Sequence, residues 1–241
     1  MLAKTRGVIL HQIKYTDSGL VVQTYTRDFG RLSFLIKGMR SRKSGKHSAL
    51  FQPMFILDLV FYLKESRSMQ LLKEFTVSYL PSEICSDIKK GVVAIFLGEV
   101  LASVLREESP HFEMFDYIEE SVKYFNNSVA GYNNFHIAFL LGLCSYLGFE
   151  PGIRIDENSR YFDLINGTFT VLQPGHGEYA NAEISSVLAR FFRASYNEIA
   201  NIPLTGKLRN EVLETILRYY SVHLPGLGKI HSLEVLKEIF N

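Results

Sequence analysis

Apolar positions in the first 80 residues fall in short runs interrupted by Gly, Asp, Ser and charged residues, at roughly 5–11, 19–25, 31–37, 54–62 and 70–79. Runs of this length and residue type predict strands, and five of them in so short a stretch predict a small barrel. A five-stranded OB barrel is the common solution of this size, with an SH3-like barrel as the alternative. Within the third run Leu32, Phe34 and Ile36 alternate with Arg31, Ser33 and Lys37. A period of two sends the first set inward and leaves Arg31 and Lys37 on the wet face. Tyr25 shares its parity with Gln23 rather than with Leu20 and Val22, which makes it either an exposed aromatic platform or a core residue.

From residue 81 the period lengthens to that of helices. Ser82 is placed to cap one that gathers Ile84, Ile88, Val92, Ile95, Leu101 and Val104 near one stripe. Pro110 opens a second with Phe115, Ile118, Val122 and Phe125. A third covers about 132–147; it is stopped by Gly148, which can take a left-handed conformation, and by Pro151 shortly after. Three more are predicted after Asn181, around 204–220 and over 232–240, and their apolar spacings read as core. Between the third and fourth helices, Asn166-Gly167 sits among β-type residues and predicts a hairpin with a type I′ turn. The fold class is therefore α+β: a five-stranded OB-fold barrel over 1–80, then a mainly helical domain over 81–241 with a small β insertion at about 150–179.

Composition changes this picture only when charge is divided along the chain. The whole carries +1, but residues 1–80 hold 13 Lys and Arg against 5 Asp and Glu, a balance of +8, while residues 81–241 hold 13 against 20, a balance of −7. Such an asymmetry points to a polyanion partner for the first segment, most simply nucleic acid, with a membrane surface as the other attractor. Cys85 and Cys144 stand far apart in predicted helices, which argues against a disulfide framework and for a reducing compartment. The amino terminus lacks the apolar run of a signal peptide, and no stretch reaches the ~18 apolar residues of a membrane span. A cytoplasmic protein is expected.

Candidate chemistry concentrates in KGMRSRKSGK at 37–46, where Lys37, Arg40, Arg42, Lys43 and Lys46 occur with no acidic residue. Gly38 and Gly45 let the backbone bend, the serines donate to phosphate oxygens, and the cations release condensed counterions on binding. With Arg31 on the adjoining strand, these are the candidate phosphate contacts, and Tyr25 is the candidate for base stacking. Catalytic signatures are lacking. The two glycines are separated by six residues rather than the four of a phosphate loop, and His47 stands where a magnesium-binding Ser or Thr belongs. No G-x-S-x-G elbow occurs, Glu107 with Glu108 and Glu119 with Glu120 fit exposed helix faces, and the histidines have no metal spacing. The expectation is a binding protein without covalent catalysis, cofactor or metal.

Together these residues resemble the RecO family of bacterial recombination mediators. The resemblance spans nearly the whole chain: GVILHQIKYTDSGLVVQTYTRDFGRLSFLIKGMRSRKS looks like that family's OB-domain opening, TRDFGRLSFLIKG at 26–38 being its more specific part, and LLGLCSYLGFEP looks like its helix entering the insertion. It implies binding of single- and double-stranded DNA, annealing of complementary strands, and help in loading the recombinase RecA onto strands coated by single-strand-binding protein, with RecR as partner. It also implies that the helical domain holds the acidic, aromatic carboxyl-terminal tail of single-strand-binding protein. Such a tail needs an apolar pocket with a cation at its rim, and Arg190 and Arg193 beside Phe191 and Phe192 are the candidates. The chain departs from the family in one respect. Many members carry a four-cysteine zinc motif in the insertion; here Gly148-Phe149-Glu150-Pro151 is present, but Asp156 and Ser159 stand near the first cysteine pair and the second is missing around 174–177. A cluster of Tyr161, Phe162, Leu164 and Phe169 is expected in place of the metal. A protein-binding scaffold and an RNA-binding module are the alternatives to the DNA role.

Overall fold

The structure, a computed structural model, describes residues 1–16, 19–36, 48–105, 109–152 and 158–240. Five strands, β1 (Leu2–Thr16), β2 (Gly19–Thr26), β3 (Gly30–Ile36), β4 (Ile56–Tyr62) and β5 (Gln70–Tyr79), close a barrel in the order β1-β2-β3-β5-β4. All pairings are antiparallel except β3 with β5. This is the OB-fold barrel read from the run spacing. Ile9, Val22, Phe34, Leu57 and Phe61 are part of its filling. β1 is much longer than the predicted 5–11, because one strand serves two neighbours. Its first half pairs with β4 as far as Val8, and a register shift between Ile9 and His11 carries the second half along β2 alone. A bulge of this kind bends a strand and frees one of its edges.

The barrel is buried on its outer side as well as its inner one. Val8 and Leu10, opposite in parity to Ile9, have no exposed surface, so a second apolar layer covers β1. That layer is helical: α1 (Ser82–Ser86), α2 (Ile88–Val104) and α3 (Phe112–Asn127). Gly98 lies against the barrel so closely that a Cβ there would fall 2.5 Å from the Leu10 carbonyl oxygen. The expected single helix from Ser82 is broken at Asp87, whose carboxylate accepts hydrogen bonds from the Lys89 and Lys90 amides and starts α2 afresh. The expected stripe is corrected too. Ile88 and Ile95 are 77% and 52% exposed, and Val93, Phe96, Leu97, Val100, Leu101 and Val104 form the buried side. α2 is apolar almost all round, so its periodicity was degenerate, and the bulkier Phe96-Leu97 side took the core. In α3 the buried set Phe115, Ile118, Val122 and Phe125 matches the expected spacing.

The chain divides into two compact units, Met1–Asn127 with Ile230–Leu233, and Ser128–Lys229 with Glu234–Asn241. The second is built on α4 (Phe135–Tyr146), α5 (Ala182–Arg193), α6 (Gly206–His223) and most of α7 (Ser232–Ile239). α4 ends as predicted, with Gly148 at φ +82°. Asn181 and Thr205 cap α5 and α6 by accepting from the Ile184 and Leu208 amides. The insertion is a small sheet of β6 (Tyr161–Asp163), β7 (Thr168–Thr170) and β8 (Tyr179–Ala180) in the order β7-β6-β8. Its hairpin does not carry the expected type I′ turn: Asp163 pairs with Thr168, leaving four residues in the loop, and only Gly167 has positive φ, at +62°. The Asp163 carboxylate accepts from the Ile165 and Asn166 amides at 2.9 and 3.0 Å and so fixes a longer turn. Phe162, Leu164 and Phe169 are buried, with Tyr161 half-buried at the edge. Phe162 packs on Phe169 at 4.8 Å and on Tyr219 of α6 at 5.3 Å between ring centroids.

Candidate nucleic-acid interface

OB barrels commonly receive oligonucleotides on the face of strands two and three, flanked by the β1–β2 and β4–β5 connections. Here one end of that face is occupied by the chain's own helices. Tyr25 is 1% exposed, its ring stacked on Phe115 of α3 at 6.3 Å. Its parity with Gln23 does set it on the outer face, but α3 covers that face, so Tyr25 is corrected from an exposed platform to a buried contact. Arg31 is corrected as well. Its guanidinium donates to the carbonyls of Ala102 and Leu105 at 2.9 and 3.1 Å, and to Gln23 Oε1 at 3.3 Å. Those carbonyls close the carboxyl end of α2, where free acceptors and the helix dipole favour a cation.

Neighbouring cations are paired in the same way. Arg27 meets Asp116 at 3.0 Å, and Arg6 meets Asp58 at 3.0 Å and Glu119 at 3.4 Å. The hydrogen bond to Asp58 leads the effects that push the Arg6 pKa up. Glu119 is buried, not on the exposed face expected for it, and Lys123 reaches it from one turn further along α3 at 2.9 Å. Two of the barrel's cations, Arg6 and Arg27, are therefore paired with carboxylates of α3.

The other end of the barrel is open among the described residues. Beyond Leu10, β1 and β2 form a ribbon on which His11, Ile13, Lys14 and Tyr15 are all exposed, Ile13 at 47% and Tyr15 at 57%. Lys14 pairs with Leu20, and Leu20 with Ile36, so Lys14 stands level with the last residue of β3. From there the sequence runs into 37–46. Lys37, Arg40, Arg42, Lys43 and Lys46 lie outside the described residues, as does Asp156. Lys64 and Arg67, on the β4–β5 connection, are also exposed. No carboxylate among the described residues pairs with Lys14, Lys64 or Arg67. Lys14 and Tyr15 were missed because the apolar run ends at Leu10. The signal was present in Gln12-Ile13-Lys14-Tyr15, where polar and apolar residues alternate with the period of a strand that continues past its barrel.

In the second unit Arg190 and Arg193 are exposed on the last turn of α5, and Arg190 donates to the Asn201 carbonyl at 3.4 Å. The phenylalanines between them face inward: Phe191 is buried, and Phe192 packs on Phe162 and Phe169 at 6.1 and 6.0 Å.

Comparison with known proteins covers both halves of the chain. The family model described as "Recombination protein O N terminal" matches residues 1–80, and that described as "Recombination protein O C terminal" matches residues 85–234. Proteins named DNA repair protein RecO are similar over their full lengths and the full length of this chain: 33% identical in Phocaeicola vulgatus, 34% in Bacteroides fragilis and 31% in Christiangramia forsetii. With an OB barrel leading into helices and both family models matched in order, the chain belongs to the RecO family and has a role in DNA repair.

Proposed function

We propose that the protein is a recombination mediator that works by binding, without covalent catalysis. Its barrel holds single- and double-stranded DNA through phosphate contacts, anneals complementary strands, and helps RecA load onto strands coated by single-strand-binding protein, together with RecR in the cytoplasm. The carrying observation is the open end of the barrel, where Lys14 stands level with the strand that leads into the basic 37–46 segment. Membership of a DNA repair family supplies the context. Among the described residues, no helix is long and apolar enough to cross a membrane. Cys144 is buried, and burial pushes its thiol up to about 12, which fits packing rather than nucleophilic chemistry.

The test is DNA binding over a range of salt. Replacing Arg40, Arg42 and Lys43 by Ala should weaken binding to unrelated sequences alike and reduce the salt slope by about 2, from ~0.7 per neutralised phosphate on a single strand. A folded triple variant with the parent's affinity and slope would remove the phosphate-loop reading; preference for RNA, or no nucleic-acid binding at all, would favour the alternatives. For the helical domain the reading places the acidic tail of single-strand-binding protein at Arg190 and Arg193, and unchanged tail affinity after reversing both charges would dismiss them. In the insertion, the apolar cluster around Phe162 takes the place that zinc holds in other members. The fold should therefore survive a chelator, and one tightly held zinc per chain would contradict this.

A further inference from the structure

The ribbon at the open end of the barrel carries more than charge. Tyr15 is the bulkiest exposed side chain on it, it makes no ring contact among the described residues, and the register shift between Lys14 and Thr16 falls on it. Bulges re-aim side chains and recur beside functional sites. Successive strand side chains otherwise alternate between faces, but a bulge sets two residues opposite one, so the Tyr15 ring and the Lys14 ammonium can meet a base and its phosphate on one strand. The bulges and Lys14 also protect the free edge of β1 against pairing with another strand. Edge protection requires no exposed tyrosine, and the exposed Ile13 works against it. The position usually offered for stacking on the β2–β3 face belongs here to Tyr25, which α3 has covered. The exposed aromatic near this face is Tyr15 on the ribbon.

We infer that Tyr15 is a stacking residue for an unpaired base, with Lys14 on the adjoining phosphate, so that the ribbon makes the barrel prefer single strands to duplex. This rests on the DNA-binding reading above and adds strand discrimination to it. A duplex keeps its bases stacked on one another, so it offers the ring nothing but an end, whereas a single strand can lend any base because every base has a π-face.

The experiment uses the full chain, oligothymidine, and a duplex of equal length. The protein has no tryptophan, so Tyr15→Trp introduces a single indole whose emission reports on stacking directly. Quenching by oligothymidine and little change with duplex is the expected result. Tyr15→Ala should lose roughly 5- to 150-fold in affinity for oligothymidine, the range for one base stack, with the salt slope and duplex affinity unchanged, while Tyr15→Phe should retain the parent's affinity. If the parent binds DNA but the indole is not quenched and Tyr15→Ala binds oligothymidine as tightly, the inference fails and the DNA reading stands. Equal losses on both substrates with a flatter slope would also overturn it, since the ribbon would then act through charge. If the parent binds no nucleic acid, both fail together. Should Tyr15→Ala not fold, the quenching decides.

Discussion

The two ends of the barrel use similar residues for opposite purposes. At the covered end Tyr25 and Arg31 project outward from β2 and β3, and the chain's own helices meet them with a phenylalanine ring and a set of helix-terminal carbonyls. At the open end Tyr15 and Lys14 project from the β1–β2 ribbon into solvent. An aromatic and a cation on neighbouring strand positions are thus equally fit to anchor a helix or to meet a ligand. What separates the two uses is whether another part of the chain reaches them, and that depends on where α2 and α3 pack.

The comparison is broken most forcefully through Tyr25. Tyr25→Ala should cost about 3–5 kcal/mol, the range for deleting a buried aromatic ring, measured by urea unfolding; a cost near that of a surface change would mean that α3 is not seated on this face. Gly98→Ala should cost about 1–3 kcal/mol, because the added methyl pushes α2 off β1; an unchanged unfolding midpoint would refute the close approach. Arg31→Ala should cost about 1–2 kcal/mol by uncovering the last carbonyls of α2, with no change in the salt dependence of DNA binding. A flattened salt slope in that variant would return Arg31 to the phosphate contacts. Lys14→Ala has the smallest expected effect on the fold, within about 0.5 kcal/mol, but it should reduce the single-strand salt slope by about 0.7.

Strand positions, the helix from Pro110 and the stop at Gly148 were legible because each rests on local chemistry: alternation, i to i+4 spacing, and a residue tolerant of positive φ. The buried side of α2 was not, since a helix with apolar residues on every side gives periodicity nothing to choose between. Tyr25 and Arg31 had their directions read correctly and their surroundings missed, because burial of an outer strand face depends on residues some 70 to 90 positions further along the chain. Asn166-Gly167 marked a turn, but Asp163 determined its length through hydrogen bonds that a two-residue motif does not reveal. The open ribbon escaped notice although Gln12-Ile13-Lys14-Tyr15 alternates as a strand does, because Ile13 and Tyr15 lie past the barrel and stay in water, where alternation no longer marks a core.

The close seating of Gly98 on the Leu10 carbonyl bears on how freely this barrel can be moved between proteins. A fragment cut after β5 would bare Val8, Leu10 and Tyr25 together, an apolar patch of the kind that soluble monomers keep covered. The barrel is thus not a transferable cassette. Its outer wall is completed only once α2 and α3 have been synthesised, so during translation the strands must wait for nearly fifty further residues before that wall can close.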